Sequence, residues 1–329
     1  MSSALSKKQQ QEAAKKSQPD WMEPSLAKLT KKYFSDPDWL FERKLDGLRC
    51  LVFKKGSEVE LLSRNKKLQN DFYPELVEAL KKQEPDFIAD GEVVTFKDDV
   101  SSFSLLQNRM NEKDPDEELL KRVPVTLYLF DCMFIDGYDI SSLNNRERKS
   151  ILKKGLEFYD PIRYLPHVNE NGKKYHQEAC QKGWEGIIAK DAGKPYAHSR
   201  TSNWLKFKCV NRQEFVIGGF TEPEGSRVGF GAILIGFYEG DKLRYAGKVG
   251  TGFSDQELEE IHSEFHQLER KTSPFADEVD EDTAHWITPK VIAEIGFTEW
   301  TNDDKLRHPR FLGLRPDKSP SEVVKEEAE

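Results

Sequence analysis

Apolar and polar residues alternate in strand fashion over residues 41–43, 49–53, 59–63, 87–96, 125–134 and 186–190, with Gly, Asn and Asp in the intervening turns. Residues 73–82 and 146–156 read instead as helices. Strands and helices mixed in this way predict an α+β domain of packed antiparallel sheets over residues 19–211. The pattern changes around 209–213. From Phe215 onward the strands are short and glycines frequent, and Tyr238-Glu239-Gly240-Asp241-Lys242 reads as a hairpin turn. Ser254-Asp255-Gln256-Glu257 is a capping box that opens a helix with Leu258, Ile261, Phe265 and Leu268 on one face. Small strands with a single helix predict a β-barrel OB-fold over residues 212–318. Residues 1–18 are polar and show no apolar period, so a disordered lead is expected there, with an acidic tail over 319–329.

Length and charge narrow the function classes. A chain of 329 residues has material for two domains of about 150 residues each. No run of 18 apolar residues occurs and the start has no apolar signal segment, which argues against membrane spanning and secretion and for a cytoplasmic protein. Cys50, Cys132, Cys180 and Cys209 stand apart, with no Cys-x-x-Cys pair, so reduced structural thiols are expected. The net charge of −8 is unevenly spread. Acid gathers in Asp277-Glu278-Val279-Asp280-Glu281-Asp282 and Glu326-Glu327-Ala328-Glu329, while Lys and Arg recur over 43–67 and 193–212. Local potential, not the total, governs phosphate binding.

Candidate chemistry centres on Lys44-Leu45-Asp46-Gly47-Leu48-Arg49. A lysine amine can attack a phosphorus atom and form a phosphoramidate, dividing one difficult phosphoryl transfer into easier steps, and neighbouring cations favour the uncharged amine that attacks. Lys206 and Lys208 alternate with Phe207, so a strand there places both lysines on one face, where they can serve as those cations. By itself the hexad is weak evidence, because a lysine beside an acid is ordinarily a solvated surface pair. Its companions follow in order: Ser63-Arg64-Asn65, Asp90-Gly91-Glu92, Phe130-Asp131, Glu185-Gly186-Ile187-Ile188-Ala189-Lys190, Trp204-Leu205-Lys206-Phe207-Lys208 and Arg315-Pro316-Asp317-Lys318.

This ordered series resembles the motifs of the covalent nucleotidyltransferase superfamily, and within it the ATP-dependent DNA ligases. The segment 220–253 and Arg307-His308-Pro309-Arg310-Phe311-Leu312-Gly313-Leu314-Arg315 resemble the ligase module of bacterial DNA ligase D. The resemblance runs over about residues 21–318 and implies an antiparallel-sheet adenylation domain followed by the OB-fold. It assigns Lys44 as the nucleophile that accepts AMP. It also implies that Glu42 reads the adenine amino group, that Phe130 stacks on the base, and that Arg49, Arg64, Arg200, Lys206 and Lys208 contact sugar or phosphate. Glu92 and Glu185 match positions near the ribose and the metal, and hard carboxylate oxygens suit Mg²⁺ or Mn²⁺. Arg315 and Lys318 match the last motif, which orients the pyrophosphate leaving group. Lys66 departs from the pattern, standing where the family often has glycine, so Asn65 is expected to take the left-handed conformation of that turn.

The implied reaction is ATP-dependent sealing of nicked double-stranded DNA in repair or end joining, by a monomer, with Ku or a repair polymerase as candidate partners. Three other readings stay open: an RNA ligase, a capping-type nucleotidyltransferase and an idle ligase-like module that binds DNA ends. Gly229-Phe230-Gly231 is read as opening a strand, so it lacks the context of a dinucleotide loop. His262 and His266 lack the adjacent Glu of a His-Glu-x-x-His zinc site and read as helix surface. About twenty residues precede Trp21, where replicative ligases carry a large DNA-encircling domain, so weak and salt-sensitive nick binding is expected.

Overall fold

The computed structural model describes residues 4–110, 112–225, 227–301 and 303–326. Two compact units divide between Cys209 and Val210, two residues from the boundary read off the sequence.

In the first unit Leu48–Lys55 pairs antiparallel with Glu58–Ser63 on one side and Phe87–Val94 on the other, and Phe87–Val94 pairs with Thr126–Ile135. Alternation along these strands sorts their side chains between two faces. Cys50, Val52, Ala89, Val93, Leu127 and Leu129 enter a core shared with Leu76 and Leu80 of helix Pro74–Lys81 and with Ile151 and Leu152 of helix Asn145–Gly155. Leu51, Phe53, Ile88, Phe130 and Met133 face the opposite way, into a second apolar cluster.

The second sheet of this unit runs in the order His167–Asn169, Trp39–Arg43, Gly186–Asp191, Arg200–Lys208 and Leu26–Leu29, the last two parallel. Phe41, Ile187, Ala189 and Phe207 are fully buried on one face, with Ala179 of helix Gly172–Gln181. Each large side chain there contributes about 1.5–3 kcal/mol of burial free energy. The other face carries Glu42, Ile188 and Lys206 in cross-strand register. Trp204, on that same face, joins the cluster of Phe130 and Met133, so this face of the second sheet confronts the face of the first sheet that bears that cluster.

Both chain ends are more ordered than their composition suggests. Lys7–Glu12 is a short helix whose cap, Ser6, exchanges hydrogen bonds with Gln9, and Ala14–Lys15 pairs with Tyr138–Asp139. Leu5 is buried in the first core. A six-residue helix with no buried residue has no apolar period to read, and one leucine anchors it. Val323 is likewise buried in the core of the second unit, and its carbonyl accepts from the Tyr238 N–H at 2.7 Å. Part of the expected acidic tail is therefore packed.

In the second unit the long strand Asn211–Thr221 pairs with Ile233–Glu239, Ala284–Ile287 and Ile292–Phe297. Lys242–Val249 and Arg310–Leu314 extend the sheet. Helix Asp255–His266 has both hydrogen bonds of its Ser254/Glu257 capping box and buries Leu258, Ile261 and Phe265. Leu268 lies beyond the helix and still packs on the core. This is the OB-fold arrangement that the sequence predicts. Among the described residues no helix is long and apolar enough to cross a membrane.

The cysteine expectation fails at one pair. Cys180 and Cys209 form a disulfide, with Cα atoms 5.2 Å apart. One lies on the last turn of helix Gly172–Gln181 and the other just after Arg200–Lys208, and only the fold makes them neighbours. Cys50 and Cys132 are free and buried, and burial pushes both thiols up.

Candidate active site

Lys44 follows the last residue of strand Trp39–Arg43, and its N–H donates to the Gly186 carbonyl at 3.0 Å. The hexad then crosses directly over Val93, because a Cβ at Gly47 would lie 2.2 Å from the Val93 carbonyl oxygen. Only glycine allows that approach. Gly186 plays the same part for the downstream motif: its φ is +147° and an added Cβ would lie 2.1 Å from the Phe207 carbonyl oxygen. These two close contacts deliver Lys44 and Glu185 to each other. Lys44 Nζ donates to Glu185 Oε2 at 2.5 Å, and Glu185 is buried. The Lys44 ammonium thus has a carboxylate in direct contact.

Arg49 makes a two-pronged ion pair with Asp90 and also donates to the Ser25 carbonyl at 3.2 Å. Burial alone would lower the guanidinium, but Asp90 overrides it and holds Arg49 above its ordinary range. The Tyr196 hydroxyl donates to the same Asp90, and its oxygen accepts from the Ser25 N–H at 2.9 Å. Arg49 lies 4.8 Å from the centre of the Phe130 ring, and Glu92 stands opposite Arg49 in the sheet. Arg49, Asp90, Glu92 and Phe130 thus share one region of one sheet.

Glu42 is 1% exposed and holds two lysines: Lys149, in a close hydrogen bond, and Lys190, 2.7 Å away in an ion pair without hydrogen-bond alignment. Lys149 also donates to the carbonyls of Leu165 at 3.0 Å and Phe130 at 3.3 Å. Lys190 sits 4.2 Å from the Phe130 ring centre and 4.1 Å from that of Trp204. Burial lowers the Lys190 ammonium, with Lys149 adding to the effect and Glu42 opposing it. Below this layer Asp131 and Arg148, both fully buried, form a bidentate pair at 2.8 and 2.9 Å. Burial would raise the Asp131 carboxyl, but Arg148 keeps it below the usual carboxylate range.

Lys206 and Lys208 are half-buried on either side of the fully buried Phe207, as period two requires. They stand opposite Ile188 and Gly186. Arg200 is exposed at the start of its strand and donates to the Ala27 carbonyl at 3.3 Å. Arg64 lies in the turn after Glu58–Ser63, where Lys66 and not Asn65 takes the left-handed conformation, with φ +60°. A lysine can pay that cost here because its ammonium lies 4.8 Å over the Trp21 ring and 3.8 Å from Glu23.

Arg315 and Lys318 belong to the second unit. Arg315 is buried and bidentate to Asp317 at 2.9 and 3.0 Å, with Glu294 at 3.2 Å and Glu214 at 3.8 Å. Lys318 pairs with Glu214 at 3.4 Å. Burial lowers and Asp317 raises the Arg315 guanidinium, and the net direction is strongly upward.

Sequence reasoning gave no role to Asp90, Lys149, Lys190 or Tyr196. Asp90 and Lys190 lie inside the motifs, and period two puts Lys190 on the face of Ile188, in register with Trp204 and beside Lys206. Lys149 and Tyr196 carry no local signal, since their partners are 107 and 106 residues away.

A family model described as ATP dependent DNA ligase domain matches residues 24–208, more than half of the chain, and one described as ATP dependent DNA ligase C terminal region matches 226–318. The multifunctional non-homologous end joining protein LigD of Pseudomonas aeruginosa is 34% identical over 94% of this chain, which spans 37% of that protein. A DNA ligase of Sulfolobus acidocaldarius is 30% identical over 87% of this chain, which spans 54% of it. Among solved structures, a mycobacterial DNA ligase D complexed with ATP and MES has 30% identity and a TM-score of 0.66, covering 93% of this chain and 98% of that one. With Lys44 and Glu185 joined between two confronting sheets and ligase domains matched over both units, the chain belongs to the family of ATP-dependent DNA ligases.

Proposed function

We infer that this chain seals 5′-phosphate/3′-hydroxyl nicks in duplex DNA, using ATP and a lysyl-AMP intermediate on Lys44. The observation that carries the reading is the Lys44–Glu185 contact, which aims the ammonium and supplies a base for its proton. Nζ passes one proton to Glu185, attacks the α-phosphorus and gives up a second proton to solvent or the departing pyrophosphate; the N–P bond forms and the α–β anhydride bond breaks as pyrophosphate leaves. AMP then moves to the DNA 5′-phosphate, and the 3′-hydroxyl displaces it. Phe130 offers an aromatic surface to the base, and Arg49, Arg64, Arg200, Lys206 and Lys208 are the candidate sugar and phosphate contacts. Asp90 positions Arg49, and Lys149 and Lys190 position Glu42. Arg315 and Lys318 orient pyrophosphate.

Glu92 and Glu185 offer carboxylate oxygens, the hard donors that suit Mg²⁺. Mg²⁺ held there would neutralise phosphate charge as it develops. End joining, with Ku or a repair polymerase as partner, is the process we assign, on the strength of the LigD likeness. Incubation with ATP labelled at the α-phosphate should attach label to wild-type protein and none to Lys44→Ala. Labelling of that variant at the wild-type level would place the nucleophile elsewhere.

A further inference from the structure

We propose that His176, Cys180 and Cys209 form a redox-gated site for one thiophilic divalent cation, zinc by preference. The site lies on the helix-covered side of the second sheet, opposite the face of Glu42 and Lys206. His176 and Cys180 are one helical turn apart on helix Gly172–Gln181 and share a face. Cys209 arrives from the end of the lysine-bearing strand. The Nε2 of His176 and the two Sγ atoms all lie within 4.8 Å of one another.

Tetrahedral zinc, with Zn–S near ~2.3 Å and Zn–N near ~2.1 Å, requires about 3.6 Å between nitrogen and sulfur and about 3.8 Å between sulfurs. Cys180 Sγ is already 3.5 Å from His176 Nε2. With the Cα atoms 5.2 Å apart, side-chain rotation opens the sulfurs to the required distance once the disulfide is reduced. The imidazole is preset. Its ring centre is 4.1 Å from that of Tyr33 and 6.0 Å from that of Phe207, and with the disulfide formed its Nε2–H donates to the Lys208 carbonyl at 3.3 Å. Metal binding exchanges that hydrogen bond for the cation: the proton moves to Nδ1 and the Nε2 lone pair becomes the ligand. Two thiolates and an imidazole are soft donors that select zinc over magnesium, and the fourth position is left to water.

The chemistry balances through a dithiol reductant, which supplies two electrons and two protons to the Cys180–Cys209 bond and becomes a disulfide itself. Zinc then displaces both thiol protons to solvent. Oxidised or metal-loaded, the helix stays tied to the strand end that carries Lys206 and Lys208; the bare dithiol unties it.

Cobalt titration of the full chain tests this, with Co²⁺ as the spectroscopic stand-in for zinc. Protein reduced with a dithiol and freed of it should bind one Co²⁺, with thiolate-to-cobalt absorption that Zn²⁺ removes. Oxidised protein, Cys180→Ser and Cys209→Ser should lack that absorption, and His176→Gln should bind roughly tenfold or more weakly, at least the loss that changes around a metal's ligands cause. Circular dichroism verifies that each variant is folded. Reduced wild-type protein with four titratable thiols in denaturant and no cobalt absorption would overturn the proposal. So would absorption unchanged by Cys180→Ser, since Cys50 and Cys132 would then be the source.

Discussion

Side chains at the site rest on a layer of buried charge, and the stability of that layer follows from how completely it is paired. Asp131 and Arg148 have no exposure, so removing one charge strands the other. Asp131→Asn should cost about 3–5 kcal/mol, the usual penalty for breaking a buried pair, read as a lower urea midpoint at pH 7. The pH dependence has a definite sign. Because the folded-state carboxyl lies below its unfolded value, its contribution is fully present above about pH 4 and is lost as pH falls through the lower, folded value. The gap in urea midpoint between wild type and Asp131→Asn should therefore narrow as pH falls below about 4; a gap unchanged between pH 7 and 3 would show that the effect is not ionic. Gly47 is a steric counterpart. Gly47→Ala drives a Cβ to 2.2 Å from the Val93 carbonyl oxygen, so the hexad must shift and ATP labelling of Lys44 should fall by at least about a hundredfold, the order expected for a 1 Å misplacement.

Elements carry effects that stay local to their unit. Helix Asp255–His266 is closed at its start by the reciprocal Ser254/Glu257 bonds, and its buried face is three apolar side chains. Ser254→Ala should remove about 1 kcal/mol from the second unit. Chemical denaturation followed on isolated residues 210–327 and on the full chain would place that loss; a loss in the full chain that leaves the fragment unaffected, where the fragment folds, would contradict a local cap. In the first unit, alternation on Arg200–Lys208 explains why one strand serves both packing and site: Phe207 faces helix Gly172–Gln181 while Lys206 and Lys208 face the other way. A single inserted residue would exchange those faces.

At the scale of the molecule, two matters span the sheets and the units. Arg315 is engaged by three carboxylates of its own unit. If its role is to orient pyrophosphate, Arg315→Ala should block labelling of Lys44 by ATP yet still seal a nick that already carries 5′-AMP; equal losses in both assays would assign it another part. If the chain seals nicks as proposed, its lysines and arginines must hold DNA phosphates despite a net charge of −8. With about six phosphate contacts and a slope near −0.9 per contact, raising salt from 50 to 200 mM should weaken nick binding by roughly a thousandfold. Affinity measured across a potassium chloride series tests this, and a flat response would mean that few phosphates are contacted.

Periodicity and motif order sufficed for a good deal. The strands around Lys44 and the capped helix after Ser254 are local properties, set by alternation and capping chemistry within a few positions. Tertiary structure alone decided which charges meet. That Glu42 is shared by Lys149 and Lys190, that Asp90 holds Arg49 and Tyr196, and that Cys180 bonds Cys209 depend on segments tens of residues or more apart. No local pattern encodes such pairings, because burial and not spacing selects the partner. The segments 4–15 and 320–326 follow the same logic: single buried residues, Leu5 and Val323, anchor stretches too short to show a period.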